Sequence, residues 1–130
     1  GIAERYDDAL HAIQRGLWRL GVPAQQEEPE DAFCPGGHSL SWGGKIVGVA
    51  QRVRSDVALV GAVVVVDDHS EIAEVLQPVY AALSIPFDPD TVGSIAKADG
   101  RADPDTVIEE IESVFVEVDE GTMDVETIPR

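Results

Sequence analysis

The chain has 130 residues, 44% of them hydrophobic, with 25 acidic against 9 basic side chains and a formal net charge of −16. That length suits one domain with its own buried core. A charge of that sign repels phosphate backbones and anionic lipid surfaces, which argues against nucleic acid and membranes as partners. The lone cysteine, Cys34, cannot close an internal disulfide. No apolar run approaches the ~20 residues of a membrane span, and no signal-peptide pattern opens the chain. A reducing, cytoplasmic setting is therefore expected. Lysine occurs only twice, and acids run from end to end. This predicts adaptation to a salt-rich cytoplasm, where screening at molar salt shortens to ~3 Å and self-repulsion is tolerable; an ordinary acidic protein is the alternative.

In chain order, Tyr6, Ala9, Leu10, Ile13, Leu17 and Leu20 recur at helical spacing and predict a helix over 2–20. Glu4, Asp7 and Asp8 lie in its early turns and Arg15 and Arg19 near its end, as the helix dipole favours. Gly21 and Pro23 supply the stop. Residues 24–32 read as an acidic, proline-broken linker exposed on the surface. Next comes the stretch densest in signals, with Cys34 and Lys45 eleven positions apart and four glycines between them. Residues 39–42 alternate polar and apolar, and Gly43-Gly44 is a two-residue hairpin signal. The prediction is a β-hairpin with Cys34 in the loop feeding it, Lys45 just past its turn, and a second strand over 46–54.

Residues 57–66 are apolar on both faces and read as a central strand covered on both sides. Asp67-Asp68 ends it, and Asp68 with Glu71 resembles a capping box. The following helix shows Ile72, Val75, Leu76, Val79, Tyr80 and Leu83 on one face, with Pro78 kinking it or splitting it in two. Residues 85–90, with two prolines, form a loop. Asp103-Pro104 then caps a last helix whose apolar face is Val107, Ile108, Ile111, Phe115 and Val118. An acidic tail, an edge strand or a mobile end, covers 119–130. The element order predicts an α+β fold, a mainly antiparallel sheet flanked by helices.

The run Gly43-Gly44-Lys45-Ile46-Val47-Gly48-Val49-Ala50-Gln51-Arg52, with Phe33-Cys34-Pro35-Gly36 ahead of it, resembles a motif of the lipoyl and octanoyl attachment enzymes. These belong to the biotin/lipoate protein ligase superfamily. Within it the cysteine context looks most like the cysteine-dependent octanoyltransferases, which pass an octanoyl group between lipoyl domains. Weaker similarity continues through 88–95, so the resemblance spans roughly residues 5–98. It implies that residues 1–130 form a single domain equivalent to the C-terminal half of such a catalytic domain. The Arg-rich, glycine-containing segment that family members carry ahead of this region has no counterpart here. A fragment, or a chain working with a separate Arg/Gly-rich N-terminal half, is expected.

The chemistry follows the same residues. Cys34 as thiolate would take an acyl group as a thioester, dividing amide-to-amide transfer into two easier steps; a small buried apolar residue is the plainer reading. Lys45 would lower the thiol's pKa and stabilise charge developing on the acyl carbonyl; an exposed turn lysine is its plainer reading. The resemblance adds Gly36, Gly44, Gly48, Ala50 and Gln51 as substrate-binding residues, Gly48 and Ala50 being small enough for a ligand to approach the strand. It also places Lys97 in a loop near the acyl site, where a solvated loop lysine is the simpler reading. His38, four residues from Cys34, is a possible base with no support from the family. Asp67, Asp68, His69 and Glu71 are explained by a strand end and a helix cap, so no protein-only metal site is expected.

The expected function is protein lipoylation: transfer of octanoyl or lipoyl onto the acceptor lysine of a lipoyl-carrier domain. A transferase acting through Cys34 would need no cofactor beyond the acyl group itself. The alternative, a lipoate–protein ligase, would use free lipoate or octanoate with ATP and Mg²⁺. A non-catalytic half that binds lipoyl domains and completes a partner's pocket comes next. A biotin ligase is third, because the cysteine has no role there.

Overall fold

The computed structural model describes residues 1–118; the predicted acidic tail over 119–130 lies outside the described residues. Helix α1 (Ile2–Arg19) buries Ala9, Leu10, Ala12, Ile13, Gly16 and Leu17 along the face its periodicity predicts. It ends because Gly21 turns to φ 90°, which costs a residue without Cβ little, and the Val22 N–H then reaches back to the Leu17 carbonyl. Helix α3 (Pro104–Val118) lies against α1. Their close approach is at Gly16, where a Cβ would sit 3.3 Å from Val114 Cγ2.

Four strands form one antiparallel sheet in the order β1 (Gln25–Gln26), β2 (Ser39–Ser41), β3 (Lys45–Val53), β4 (Ala58–Val64). One face of it, carrying Leu40, Val47 and Val49, packs on Leu10, Ile13 and Leu17 of α1 and Val107 of α3 to make the main core. A smaller core joins Phe33, Val65 and Val92 to Ala73 and Tyr80 of α2 (His69–Ala82). A short 3₁₀ turn, Pro89–Thr91, follows and is capped by the Asp88 side chain, which accepts from the Asp90 N–H. The α+β architecture and antiparallel sheet are as the sequence predicts.

The hairpin contains an irregularity that alternation does not reveal. Leu40 faces Val47 and Ser41 faces Lys45, so Ile46 is an extra residue in β3. A bulge of this kind reverses the side-chain alternation. Lys45 is thereby turned onto the face shared by Ser39, Ser41 and Gly48, while Ile46 and Val47 are both fully buried.

Several sequence expectations are corrected. Residues 24–32 are not an exposed loop throughout. Gln25 and Gln26 pair with Ser41 and Leu40 as an edge strand, and Ala24 and Ala32 are buried. Not all of its acids face solvent either: the Glu28 carboxylate turns inward to Lys45. The predicted central strand is instead the last in the sheet: Val60 and Val64 pack on the core, but Leu59 and Val63 are 67% and 56% exposed. An apolar pattern on both faces states what a strand tolerates; on the second face Val65 is buried against Phe33 and α2, while Leu59 and Val63 stay open among the described residues. Asp68 does not form the capping box; it takes φ 59° and makes no side-chain cap bond, and its N–H donates to Asp67 Oδ1 at 2.7 Å. Pro78 lies inside one continuous helix. On α2 the buried residues are Ala73 and Tyr80, while Val75, Val79 and Leu83 of the predicted face are exposed.

Candidate active site

Lys45 is the centre of the site. The bulge points its side chain across Gly48, whose absent Cβ leaves the space: a Cβ there would lie 3.4 Å from Lys45 Cε. Lys45 is fully buried, and its ammonium donates to Glu28 Oε1 and Oε2 at 2.9 and 3.1 Å and to the carbonyls of Phe33 and Cys34 at 2.9 Å each. It also stands 5.1 Å from the centre of the Phe33 ring. A buried ammonium without such partners costs several kcal/mol. Neither the exposed turn lysine of the plainer reading nor the exposed acidic linker expected over 24–32 describes this arrangement.

Cys34 follows directly from that grip. Its carbonyl is held by Lys45, its N–H donates to the Tyr80 hydroxyl at 2.8 Å, and its backbone takes φ 44°. A non-glycine residue in the left-handed region is uncommon and has to be held there by its surroundings; here two hydrogen bonds on either side of Cα do so. The residue itself is exposed rather than buried in the core. It borders a cleft of about 580 Å³ whose walls include Cys34, Pro35 and Gly36 and whose floor includes Gly48, Ala50, Gly61 and Val63. Gly48, Ala50 and Gly61 leave that floor low, with Gly48 paired to Val63 and Ala50 to Gly61 on the adjacent strand.

The remaining predicted site residues divide. Gly36, Gly48 and Ala50 line the cleft with Cys34. Gly44 does not; it sits at φ 133° under Gly93, where a Cβ would fall 2.7 Å from the Gly93 nitrogen. Gly93 in turn donates its N–H to the Lys45 carbonyl at 2.9 Å, so Gly44 serves the placement of the lysine's backbone. Gln51 is taken up by α1: its Oε1 accepts from Arg5 Nε, its Nε2 donates to the Ile2 carbonyl, and its backbone N–H donates to the Tyr6 hydroxyl. His38 lines the cleft, but its ring stacks on Tyr6 at 3.5 Å between centroids. Lys97 is exposed and donates to the Val92 carbonyl at 3.3 Å. Among the described residues no three His, Cys, Asp or Glu side chains are grouped to hold a metal ion.

Sequence reasoning missed Glu28 and Tyr80. Tyr80 lies 46 residues from Cys34 and Glu28 lies 17 from Lys45, and each meets its partner only through folding. The one available signal for Glu28 was the need of a buried lysine for a counter-charge, and that need is invisible until the bulge is known.

No family model matches this chain, and no curated protein sequence does. Among solved structures, the fold is similar to that of a candidate lipoate protein ligase from T. acidophilum, solved with bound lipoic acid. The TM-score is 0.63 at 20% identity, and the match covers 91% of this chain and 46% of that one. The chain thus spans about half the length of the structure it resembles, and the likeness is one of fold.

Proposed function

We propose that this chain is the acyl-handling part of a protein lipoylation enzyme, which transfers an octanoyl or lipoyl group onto a lysine of a lipoyl domain through a thioester on Cys34. The observation that carries this reading is the junction of Cys34 and Lys45. An exposed cysteine, held in the left-handed region and lining a cleft, has its own carbonyl bonded to a buried ammonium at 2.9 Å. The fold likeness to a structure solved with lipoic acid supports the choice of acyl group.

In this mechanism the acyl chain lies over Gly48, Ala50, Gly61 and Val63. The Cys34 sulfur attacks the acyl carbonyl of an octanoylated lipoyl domain, forming a C–S bond. The leaving lysine amine departs with the proton from the thiol. A second lipoyl domain's lysine then attacks the thioester, forming the amide and returning the proton to the sulfur. Lys45 donates to the carbonyl oxygen as charge develops on it, exchanging one of its present acceptors for that oxygen. The acceptor lysine comes from the lipoyl domain, the partner this reading requires. The transferase route needs no ATP. In the ligase alternative, ATP arrives with Mg²⁺ and free lipoate or octanoate replaces the acylated donor.

A second reading is that these residues complete a pocket whose other part is a further polypeptide segment. The exposed apolar face of β4, with Leu59 67% and Val63 56% exposed, favours it, as does coverage of 46% of the similar structure. The test is octanoyl transfer between two lipoyl domains of different mass. The proposal expects transfer without ATP that is lost in Cys34→Ser. Transfer that requires ATP and survives Cys34→Ser would replace it with the ligase.

A further inference from the structure

We propose that Glu28 is a positioning residue for the Cys34–Lys45 pair, a role that rests on the acyl-transfer reading of that pair. Glu28 lies in the short segment after β1, yet it meets three different pieces of the site. Its Oε2 accepts from Lys45 Nζ at 3.1 Å, from Ser39 Oγ at 2.8 Å and from the Gly36 N–H at 3.1 Å, while Oε1 accepts from Lys45 Nζ at 2.9 Å. One carboxylate therefore ties together the cysteine turn, the first hairpin strand and the lysine of the second.

Two consequences follow from these bonds. The lysine is fully buried, so its charge needs a counter-charge, and among the described residues Glu28 is the carboxylate bonded to it. Charge-assisted bonds of this kind are also the stronger ones. The Gly36 N–H bond fixes the far end of the turn whose near end the Tyr80 hydroxyl holds at Cys34. Cys34 is thus clamped from both sides, with its carbonyl against the ammonium. When an acyl carbonyl enters, Glu28 remains anchored by Ser39 and Gly36, and the Cys34 carbonyl is the acceptor that Lys45 releases. Glu28 touches no reacting atom; it acts through Lys45 and the turn.

The experiment compares two reactions of the same thiol, Cys34 being the only cysteine. Intact mass follows acylation by the small thioester S-octanoyl-N-acetylcysteamine, in which the octanoyl moves to sulfur and the thiol proton leaves with N-acetylcysteamine. It also follows alkylation by iodoacetamide, which involves no carbonyl. The ratio of the two rates isolates carbonyl activation from mere exposure of the thiol. Glu28→Gln is expected to lower that ratio ~10-fold or more, as loss of an oriented donor does. Glu28→Asp, which keeps the charge, recovers part of it. Ser39→Ala, which removes one hydrogen bond to the carboxylate and leaves the ion pair, lowers the ratio about threefold, less than Glu28→Gln because the counter-charge stays; it decides the matter if Glu28→Gln does not fold. An unchanged ratio in Glu28→Gln, or in Ser39→Ala if that variant must decide, overturns the role of Glu28 alone. Absence of acylation in the wild type, or equal acylation in Cys34→Ser, overturns the thioester reading on which it rests.

Discussion

At the scale of single residues, the site depends on a few positions where only one side chain fits. Gly44 is the sharpest of them. Its φ of 133° and the Gly93 nitrogen 2.7 Å from any added Cβ leave no room for a methyl group. Gly44→Ala is expected to destabilise by about 1–3 kcal/mol from backbone conformation alone, with the contact against Gly93 adding to it. Urea unfolding checks this, and a change within about 0.5 kcal/mol, the range of an ordinary surface substitution, would contradict it. Cys34 and Lys45 could be picked out from the sequence because each is nearly unique there and both flank a glycine turn. Glu28 could not, being one acid among 25. Gln51 carried the motif but lacks the expected placement, since its amide is spent on Arg5 and Ile2.

At the scale of elements, local signals were read well where one residue settles the outcome. The helix that becomes α1 follows from its apolar spacing, and the hairpin from Gly43-Gly44. The bulge at Ile46 did not show, because two consecutive apolar residues look the same whether paired or extra. The cap at Asp103 forms as the sequence predicts. Thr106 donates both its hydroxyl, at 2.8 Å, and its N–H, at 3.0 Å, to the Asp103 carboxylate. The hydroxyl bond first, and the N–H bond second, hold the Asp103 carboxyl below its ordinary value of 3.8. A value depressed in the folded state means the cap stabilises α3 above the unfolded-state value, and that contribution is lost as pH falls through the lowered one. Asp103→Ala is therefore expected to lower the thermal midpoint at neutral pH, with the gap closing as pH drops below 3.8. A gap independent of pH would show that the carboxylate is not the cause.

At the scale of the whole molecule, the net charge of −16 dominates. Self-repulsion among so many acids opposes compaction and is relieved when the screening length shrinks from ~10 Å at 0.1 M salt to ~3 Å at 1 M. The melting temperature is expected to rise steadily over that range of KCl; a flat or falling trend would contradict the salt adaptation that the composition predicts. The fold class was legible because element order fixes it. The place of β4 in the sheet was not, since pairing order is decided by contacts between distant segments. Its open face, with Leu59 and Val63 toward solvent, is a property of these described residues that periodicity could not anticipate.

The central claim is that Cys34 carries the acyl group, and one measurement addresses it most directly. The protein, in high salt, is incubated with an octanoylated lipoyl domain and no ATP, and its intact mass is recorded. The account predicts a gain of one octanoyl group that hydroxylamine removes and that Cys34→Ser does not acquire. An unmodified mass, with acyl transfer appearing only when ATP is supplied, would contradict it and leave Cys34 as part of the turn rather than of the chemistry.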